Sequence, residues 1–268
     1  MTDLAQFPPS TRGVLEGYSL TPASDGESGG SVLRMDAAGL PSCYLKHGTG
    51  AVAAAITDEM ARLAWLDGRI AVPRIVHFER SHNAAYLVTT ALPGRSAYDL
   101  LVERPAERLT VARALGTFLR EWHALPTVDC PFRSDRELRL AAARRRLEAG
   151  EVDESDFDEA REGMSAEAVW EVMVALRPDA TGDAPVVTHG DFSLGNAYLS
   201  DAGTAIAVTG AFDVALAGVA DRYQDVAIAW RDLGDFGEEA QRAFLASYGI
   251  DTPDQPRLEF HLCLDEFF

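Results

Sequence analysis

Residues 186–196 read VVTHGDFSLGN, and the reading of the whole chain turns on them. Val186 and Val187 begin a short apolar run that breaks at Gly190, and a second short run, AYLS, follows at 197–200. Asp191 and, five positions later, Asn196 therefore fall in a loop between two strand-like segments. An aspartate on such a loop can accept a proton from a substrate hydroxyl, and an asparagine five residues on can reach a divalent metal. Seventeen residues after Asn196 comes Asp213, again behind an apolar stretch (205–212). It is a second carboxylate, able to complete a magnesium site built from oxygen ligands. Taken singly, each of these residues is equally at home closing a turn or capping a helix. Their order along the chain carries the information.

Working outward strengthens that order. Residues 21–34, TPASDGESGGSVLR, are rich in Gly and Ser and then turn apolar, as at a hairpin tip between strands. Residues 43–45 form a strand-like run that ends in Lys46. Over 51–65 the pattern is helical, with Ile56, Met60, Leu63 and Ala64 on a common face and Glu59 within the same segment. Residues 85–91 read as a buried strand stopped by Pro93-Gly94. A glycine-rich hairpin, a strand lysine, a helix glutamate, then Asp191, Asn196 and Asp213 is the ordered set of a kinase. Past Pro93 the periodicity becomes helical: Val111, Leu115, Phe118, Leu119, Trp122 and Leu125 share one deeply buried face. Further helices are expected at 134–149, 165–176, 222–232 and 237–248. The expectation is an α+β, two-lobed protein-kinase-like fold. Residues 1–92 form a small β-rich nucleotide-binding lobe and 93–268 a larger, mainly helical lobe carrying catalysis and the second substrate. The spelling is not that of a protein kinase: His189-Gly190-Asp191 stands in place of HRD, and no DFG or APE follows.

Composition limits the partners. The chain has 268 residues, 47% apolar and 25% charged, a globular balance long enough for a substantial core. Its formal charge of −18 argues against nonspecific binding to nucleic acid or an anionic membrane and suits a cationic partner, although acidity also serves simple solubility. Three cysteines, Cys43, Cys130 and Cys263, lie far apart with no CxxC pair, so neither a disulfide framework nor a structural zinc site is expected. No basic segment followed by an apolar one opens the chain, and no apolar run approaches the roughly 20 residues that span a bilayer. A soluble, cytoplasmic monomer is expected.

Beyond these patterns the sequence resembles the aminoglycoside 3′-phosphotransferases, the kanamycin and neomycin kinases. The resemblance spans nearly the whole chain and is strongest after Trp122. It is carried by WHALPTVDCPF (122–132), RLEAGEVDESDFDE (146–159), VVTHGDFSLGN (186–196), GVADRYQDVAIAWRDL (218–233) and the terminal LDEFF (264–268). It implies Asp191 as catalytic base, Asn196 and Asp213 as Mg2+ ligands, and His189 as a brace of the loop. It further implies that Lys46 holds the phosphates of ATP and Glu59 holds that lysine. Ser28 to Ser31 would cover the β-phosphate, and Thr90 and Leu92 would bond adenine through their backbone. Aminoglycosides are polycations with little apolar surface, so an acidic site attracts them and pairs their ammonium groups. Residues 148–162 hold eight acidic residues and one arginine. Without the resemblance they read as a solvated helix face; with it, Asp158 and Glu159 match the antibiotic-binding loop. Arg231, Asp232 and Asp235 match a second wall, and Asp265, Glu266 and the carboxylate of Phe268 a third. The Phe267-Phe268 pair fits an end packed against the body rather than a frayed tail.

The chain also departs from the family. Ala215 and Leu216 replace a glycine and an arginine just beyond the metal aspartate, residues 211–212 read AF where FI is common, and the glycine-rich hairpin is longer. The expected activity is transfer of the γ-phosphoryl group of ATP to the 3′-hydroxyl of a kanamycin- or neomycin-type antibiotic, giving resistance. The departures leave two other readings. One is a nucleotide- or antibiotic-binding protein that no longer turns over. The other is a small-molecule kinase of the same fold with a different substrate.

Overall fold

The computed structural model describes residues 4–25, 30–178, 184–200 and 205–268. The chain divides into two compact units, Met1–Gly94 with Thr209–Leu216, and Arg95–Val208 with Ala217–Phe268. Among the described residues no helix is long and apolar enough to cross a membrane.

The first unit is a five-stranded antiparallel sheet carrying one long helix. It opens with α1 (Pro9–Leu15), followed by β1 (Ser19–Asp25), β2 (Ser31–Asp36) and β3 (Cys43–Thr49). Then come α2 (Gly50–Leu66), β4 (Ile75–Arg80) and β5 (Ala84–Thr90). The sheet order is β1-β2-β3-β5-β4. Side chains alternate along a strand, so Cys43 and Leu45 point to one face and Lys46 to the other. On the first face Leu33, Met35, Cys43, Leu45 and Val88 pack with Phe7 and Leu15 from the start of the chain. In the register Lys46 sits opposite Val32 of β2 and Leu87 of β5, which places it mid-sheet. The strand does not stop at Lys46 as the sequence suggested: Gly48 and Thr49 continue the ladder against β5. The face of α2 is also shifted. Ala53, Ile56, Glu59, Leu63 and Leu66 are buried, Met60 is partly covered and Ala64 is exposed. Hydrophobicity alone misassigns this stripe because one of its buried members is a glutamate.

The second unit is mainly helical. It contains β6 (Arg95–Ser96), α3 (Ala97–Glu103), α4 (Arg108–His123), α5 (Arg136–Ala149) and α6 (Ala166–Ala175). The short strands are β7 (Val186–Thr188), β8 (Ala197–Ser200), β9 (Ala207–Ala211) and β10 (Gly218–Ala220). The chain passes into the first unit's segment within β9. The unit closes with α7 (Tyr223–Gly234), α8 (Glu238–Tyr248) and α9 (Gln255–Asp265). Caps explain several helix starts. The Ser96, Asp135, Ser165 and Asp254 side chains accept from the N–H groups of Asp99, Leu138, Ala168 and Arg257. Helix α4 buries Val111, Leu115, Phe118, Leu119 and Trp122, as its spacing predicts, but ends at His123, so Leu125 lies beyond it and is only partly buried. It meets α8 so closely that a Cβ on Gly116 would lie 2.4 Å from the Phe244 carbonyl. Helix α9, which periodicity did not reveal, packs with α5 and α6 around Ala143, Val169, Met173, Phe260, Cys263, Leu264 and Phe267. Strands β7 and β10 pair antiparallel, Val187 opposite Val219, and β7 delivers the chain to the loop that begins at His189.

Candidate active site

In the first unit the sheet and α2 bring three charged residues together. Lys46 Nζ donates to both carboxylate oxygens of Glu59 at 2.9 Å and to Asp213 Oδ1 at 3.0 Å. Burial disfavours the charge on Lys46, but the two carboxylates outweigh it and hold the lysine pKa above its ordinary value. Glu59 is 5% exposed. Burial, joined by the nearby Asp213, pushes its carboxyl up against the pull of Lys46. Glu59 thus has one evident structural task, to fix the lysine, whereas the Asp213 side chain is 48% exposed and open to a ligand. Asp213 has φ 62°, the one non-glycine residue with positive φ among those described. Aspartate tolerates this left-handed conformation better than most residues. The segment before it is tied down by Ala211 N–H to the Ala71 carbonyl (3.1 Å) and Thr209 Oγ1 to the Pro93 carbonyl (2.6 Å). Buried Val214 anchors the segment after it. Ala215 has no left-handed φ, and Leu216 is 41% exposed in the turn that follows. Of the departures, Leu216 sits at the surface of this turn and Ala215 is partly exposed, whereas Ala211 is fully buried at the end of β9.

Of the other nucleotide positions, Ser28 lies outside the described residues and Ser31 is exposed at the first position of β2. Thr90 ends β5. Its N–H is given to the Arg74 carbonyl (2.9 Å) and its hydroxyl accepts from Arg74 N–H (3.0 Å), while Ala91 N–H goes to the Ser42 carbonyl. Neither of these N–H groups remains to donate to a purine, so the Thr90 backbone can offer only its carbonyl, and Leu92 is partly buried just beyond.

In the second unit the loop from His189 to Asn196 is held from several sides. Asn196 Nδ2 donates to Asp191 Oδ2 at 2.9 Å and to the Asp191 carbonyl at 3.0 Å, which orients the carboxylate. The fully buried Asp225 accepts from the backbone N–H of His189 (2.6 Å) and Gly190 (2.8 Å) and bonds His123 Nε2 (2.8 Å). His123 Nδ1 in turn meets the Tyr248 hydroxyl at 2.7 Å. Burial alone would raise the Asp225 carboxyl, but these donors hold its pKa below the ordinary value. The Gly190 carbonyl accepts from Arg139 Nη1 (3.1 Å) and Gln224 Nε2 (3.2 Å). Gly190 itself has φ 98°, which a side chain would strain. His189 is buried with its ring against Trp122 (5.1 Å) and Phe192 (5.8 Å), and its Nδ1 accepts from Asp191 N–H at 3.3 Å. That is the geometry of a brace.

The acidic residues form two groups. Asp158 stands at the N-cap position of the 3-10 turn Glu159–Arg161 without a side-chain capping bond, and its N–H donates to both oxygens of Glu266, at 3.3 and 3.4 Å. Glu159 beside it is exposed. In the second group Arg231 bonds Asp265 (2.8 Å) and Asp232 (3.2 Å). Asp232 also accepts from the Leu194 N–H at 3.0 Å, so it supports the loop, and burial raises its carboxyl. Asp235 is exposed at the C-terminal cap of α7. Phe267 is fully buried with its ring 5.6 Å from Trp170, while half-exposed Phe268 lies under the Arg139 guanidinium at 4.5 Å. The sequence reading missed Arg139, His123, Arg161, Gln224 and Asp225. Of these, Gln224 and Asp225 stood inside the quoted GVADRYQD run, and His123 directly follows Trp122.

Asn196 keeps an amide oxygen and Asp213 a carboxylate, both hard oxygen donors of the kind Mg2+ takes when water and phosphate complete its shell. An antiparallel sheet unit holding a lysine–carboxylate cluster and a mainly helical unit holding an Asp–Asn loop are the parts of a phosphoryl-transfer enzyme of kinase-like fold. A family model described as the phosphotransferase enzyme family matches residues 19–261. An aminoglycoside 3′-phosphotransferase of Escherichia coli is 46% identical over 258 residues, 95% of this chain and 92% of the relative. Among solved structures, an aminoglycoside 3′-phosphotransferase of type VIII superimposes with a TM-score of 0.83 at 33% identity, covering 97% of each chain. An aminoglycoside phosphotransferase from Streptomyces rimosus in complex with ADP and streptomycin gives 0.81 at 25% identity, covering 100% of this chain and 99% of that one. The chain belongs to the phosphotransferase enzyme family and, within it, to the aminoglycoside 3′-phosphotransferase family.

Proposed function

We propose that the chain transfers the γ-phosphoryl group of ATP to the 3′-hydroxyl of a kanamycin- or neomycin-type aminoglycoside and so confers resistance. The observation that carries this reading is the Asp191 carboxylate, oriented by Asn196 on a loop whose backbone Asp225 and Arg139 hold. Asp191 accepts the proton of the 3′-hydroxyl as its oxygen bonds the γ-phosphorus. The bond from that phosphorus to the bridging oxygen breaks, and ADP leaves with the electron pair. Lys46, fixed by Glu59, pairs with phosphate oxygens of the nucleotide. Ser28 and Ser31 belong to the hairpin that covers the phosphates, and Thr90 and Leu92 to the linker that meets adenine. Asn196 and Asp213 are the residues that would hold Mg2+, which when bound supplies neutralisation of phosphate charge. Asp158, Glu159, Asp265, Glu266 and Phe268 receive the antibiotic's ammonium groups. Arg231, Asp232 and Asp235 complete the wall, with Arg231 holding its neighbours in place. The chain acts as a cytoplasmic monomer.

The test is a coupled assay of ADP release over an aminoglycoside panel, with NMR of the product to locate the phosphate. Kanamycin is expected to be phosphorylated at the 3′ oxygen. Tobramycin, which lacks that hydroxyl, keeps most of its ammonium contacts and is expected to inhibit without being phosphorylated. Efficient transfer to another hydroxyl of tobramycin would overturn the 3′ assignment.

A further inference from the structure

We propose that Arg161 is a positioning residue for the antibiotic's ammonium groups: it sets the spacing of the Asp158 and Glu266 carboxylates and moderates the negative charge they present. The inference rests on the functional reading above and deepens it. Arg161 is 3% exposed and lies entirely within the second unit. One terminal nitrogen bonds Asp158 Oδ2 and lies 3.4 Å from Glu266 Oε1; the other bonds Glu259 Oε1; and Nε points at Cys263 Sγ, 3.4 Å away. The planar fork therefore grips the 3-10 turn with one arm and α9 with the other, which a lysine, a point charge on a flexible stem, cannot do.

Two features mark the gripped pair as a receiving site. One guanidinium faces three carboxylates, so the cluster retains negative charge. Asp158 Oδ1 is a buried oxygen with no hydrogen-bond partner, although its sister oxygen is bonded to Arg161. The Asp158 side chain is partly exposed, so turning it outward offers this unpaired acceptor to an N–H donor such as an ammonium in place of the proton of a neutral Glu266 carboxyl. The charged groups around the Glu266 carboxyl are Asp158 and Arg161 of the turn and Glu259 and Asp265 of α9. Arg139 of α5 and Arg231 of α7 reach Asp265 in turn. Burial first, and then Asp158, raise Glu266 to about 7 against the pull of Arg161. Ammonium binding favours the ionised carboxylate, so affinity rises as pH passes upward through this range. Removing Arg161 leaves Glu266 protonated to higher pH and moves that limb upward.

Full-length wild type, Arg161→Met and Arg161→Lys are compared for kcat, for KM with kanamycin and with ATP, for melting temperature, and for kcat/KM against pH. For Arg161→Met the KM for kanamycin is expected to rise about 20-fold or more with kcat and the KM for ATP within about twofold, the signature of lost binding rather than lost chemistry. Its acid limb should move up by about half a pH unit or more, and Arg161→Lys should recover part of the affinity. Glu259→Gln loosens only the outer arm of Arg161 and guards against a Met variant that fails to fold. It is expected to raise the KM for kanamycin roughly two- to fivefold at unchanged melting temperature. The proposal is overturned if folded Arg161→Met keeps its KM and pH profile, or if the two KM values move together. If Arg161→Met does not fold, an unchanged KM in Glu259→Gln overturns it. A wild type that does not phosphorylate kanamycin would sink the functional reading and this inference together; an active wild type with silent variants would sink this inference alone.

Discussion

Replacing Asp225 with Asn tests whether the catalytic loop is held by its backbone. The carboxylate accepts from His189 N–H and Gly190 N–H with separate oxygens and also bonds His123. An amide of the same shape has one acceptor oxygen. Turned either way, it presents its NH2 group to one of the two loop N–H groups, so one of those bonds is lost. The bond to His123 survives whichever end faces it, because the imidazole can exchange tautomers while Tyr248 donates or accepts at Nδ1. Losing a hydrogen bond to a charged group removes roughly 1.5–3 kcal/mol, and a buried N–H left facing a donor adds about 1 kcal/mol or more. A loss of about 2–4 kcal/mol corresponds to a fall in Tm of roughly 5–15 °C for a chain of this size. The freed peptide moves Asp191, one or two residues on, and a displacement of about 1 Å at such a site lowers kcat on the order of 100-fold. The depressed Asp225 pKa sets the pH range of the effect: its stabilisation is full above the unfolded carboxylate value of about 4 and is lost as pH falls through the folded one. The wild type should lose its Tm advantage over the variant only in that acid range. Calorimetry and steady-state kinetics decide the matter: wild-type Tm with wild-type kcat would refute the argument.

Asp191→Ala should lower kcat by about 100-fold or more while ATP binding by calorimetry stays near wild type, since the base acts on the acceptor hydroxyl. Lys46→Met should raise the KM for ATP and leave Glu59 buried without its cation, with a fall in Tm as the companion signal. Phe267→Ala empties a fully buried site beside Trp170 and should cost about 3–5 kcal/mol by denaturant titration, whereas Phe268→Ala, half exposed, should leave stability nearly unchanged and, since the terminal carboxylate is retained, keep most of the antibiotic affinity. Leu216→Arg, at an exposed turn position, should change Tm by no more than about 2 °C; a collapse would show that Leu216 is packed after all.

What could be read from the sequence depended on whether a residue's role is local. Helix α4 was legible because Val111, Leu115, Phe118, Leu119 and Trp122 repeat at helical spacing over about three turns. The α2 face was misjudged because Glu59 is buried by its bond to Lys46, a tertiary fact that no periodicity encodes. Helix α9 was hidden because its buried set includes His261 and Cys263 and the segment leading into it, 251–257, is polar and holds two prolines. Asp191 and Asn196 could be expected on one loop, where a hydrogen bond joins them, and Asp213 just beyond an apolar strand. Asp225, Arg139 and Arg161 were not legible, because each acts through a partner 35 or more positions away, such as Gly190 for the first two. Thr90 shows the reverse limit: its place at a strand end could be inferred, but not that Arg74 already uses its N–H.

The segment Thr209–Leu216 gives the first unit a peculiar biosynthetic schedule. Lys46 and Asp213 are separated by 167 positions, so the unit remains incomplete until residues up to Leu216 have been translated. At about 5–20 residues per second the ribosome needs roughly 10–30 s to make the intervening stretch. During that interval the nascent sheet carries Lys46 and Glu59 without their third partner, and most of the second unit is synthesised before the first can close. A fragment ending at Gly94 reproduces this unfinished state. It is expected to be more protease-sensitive than the same residues in the full chain, and adding residues 205–217 as a separate peptide offers a direct way to ask whether late arrival of one short strand and turn completes the fold.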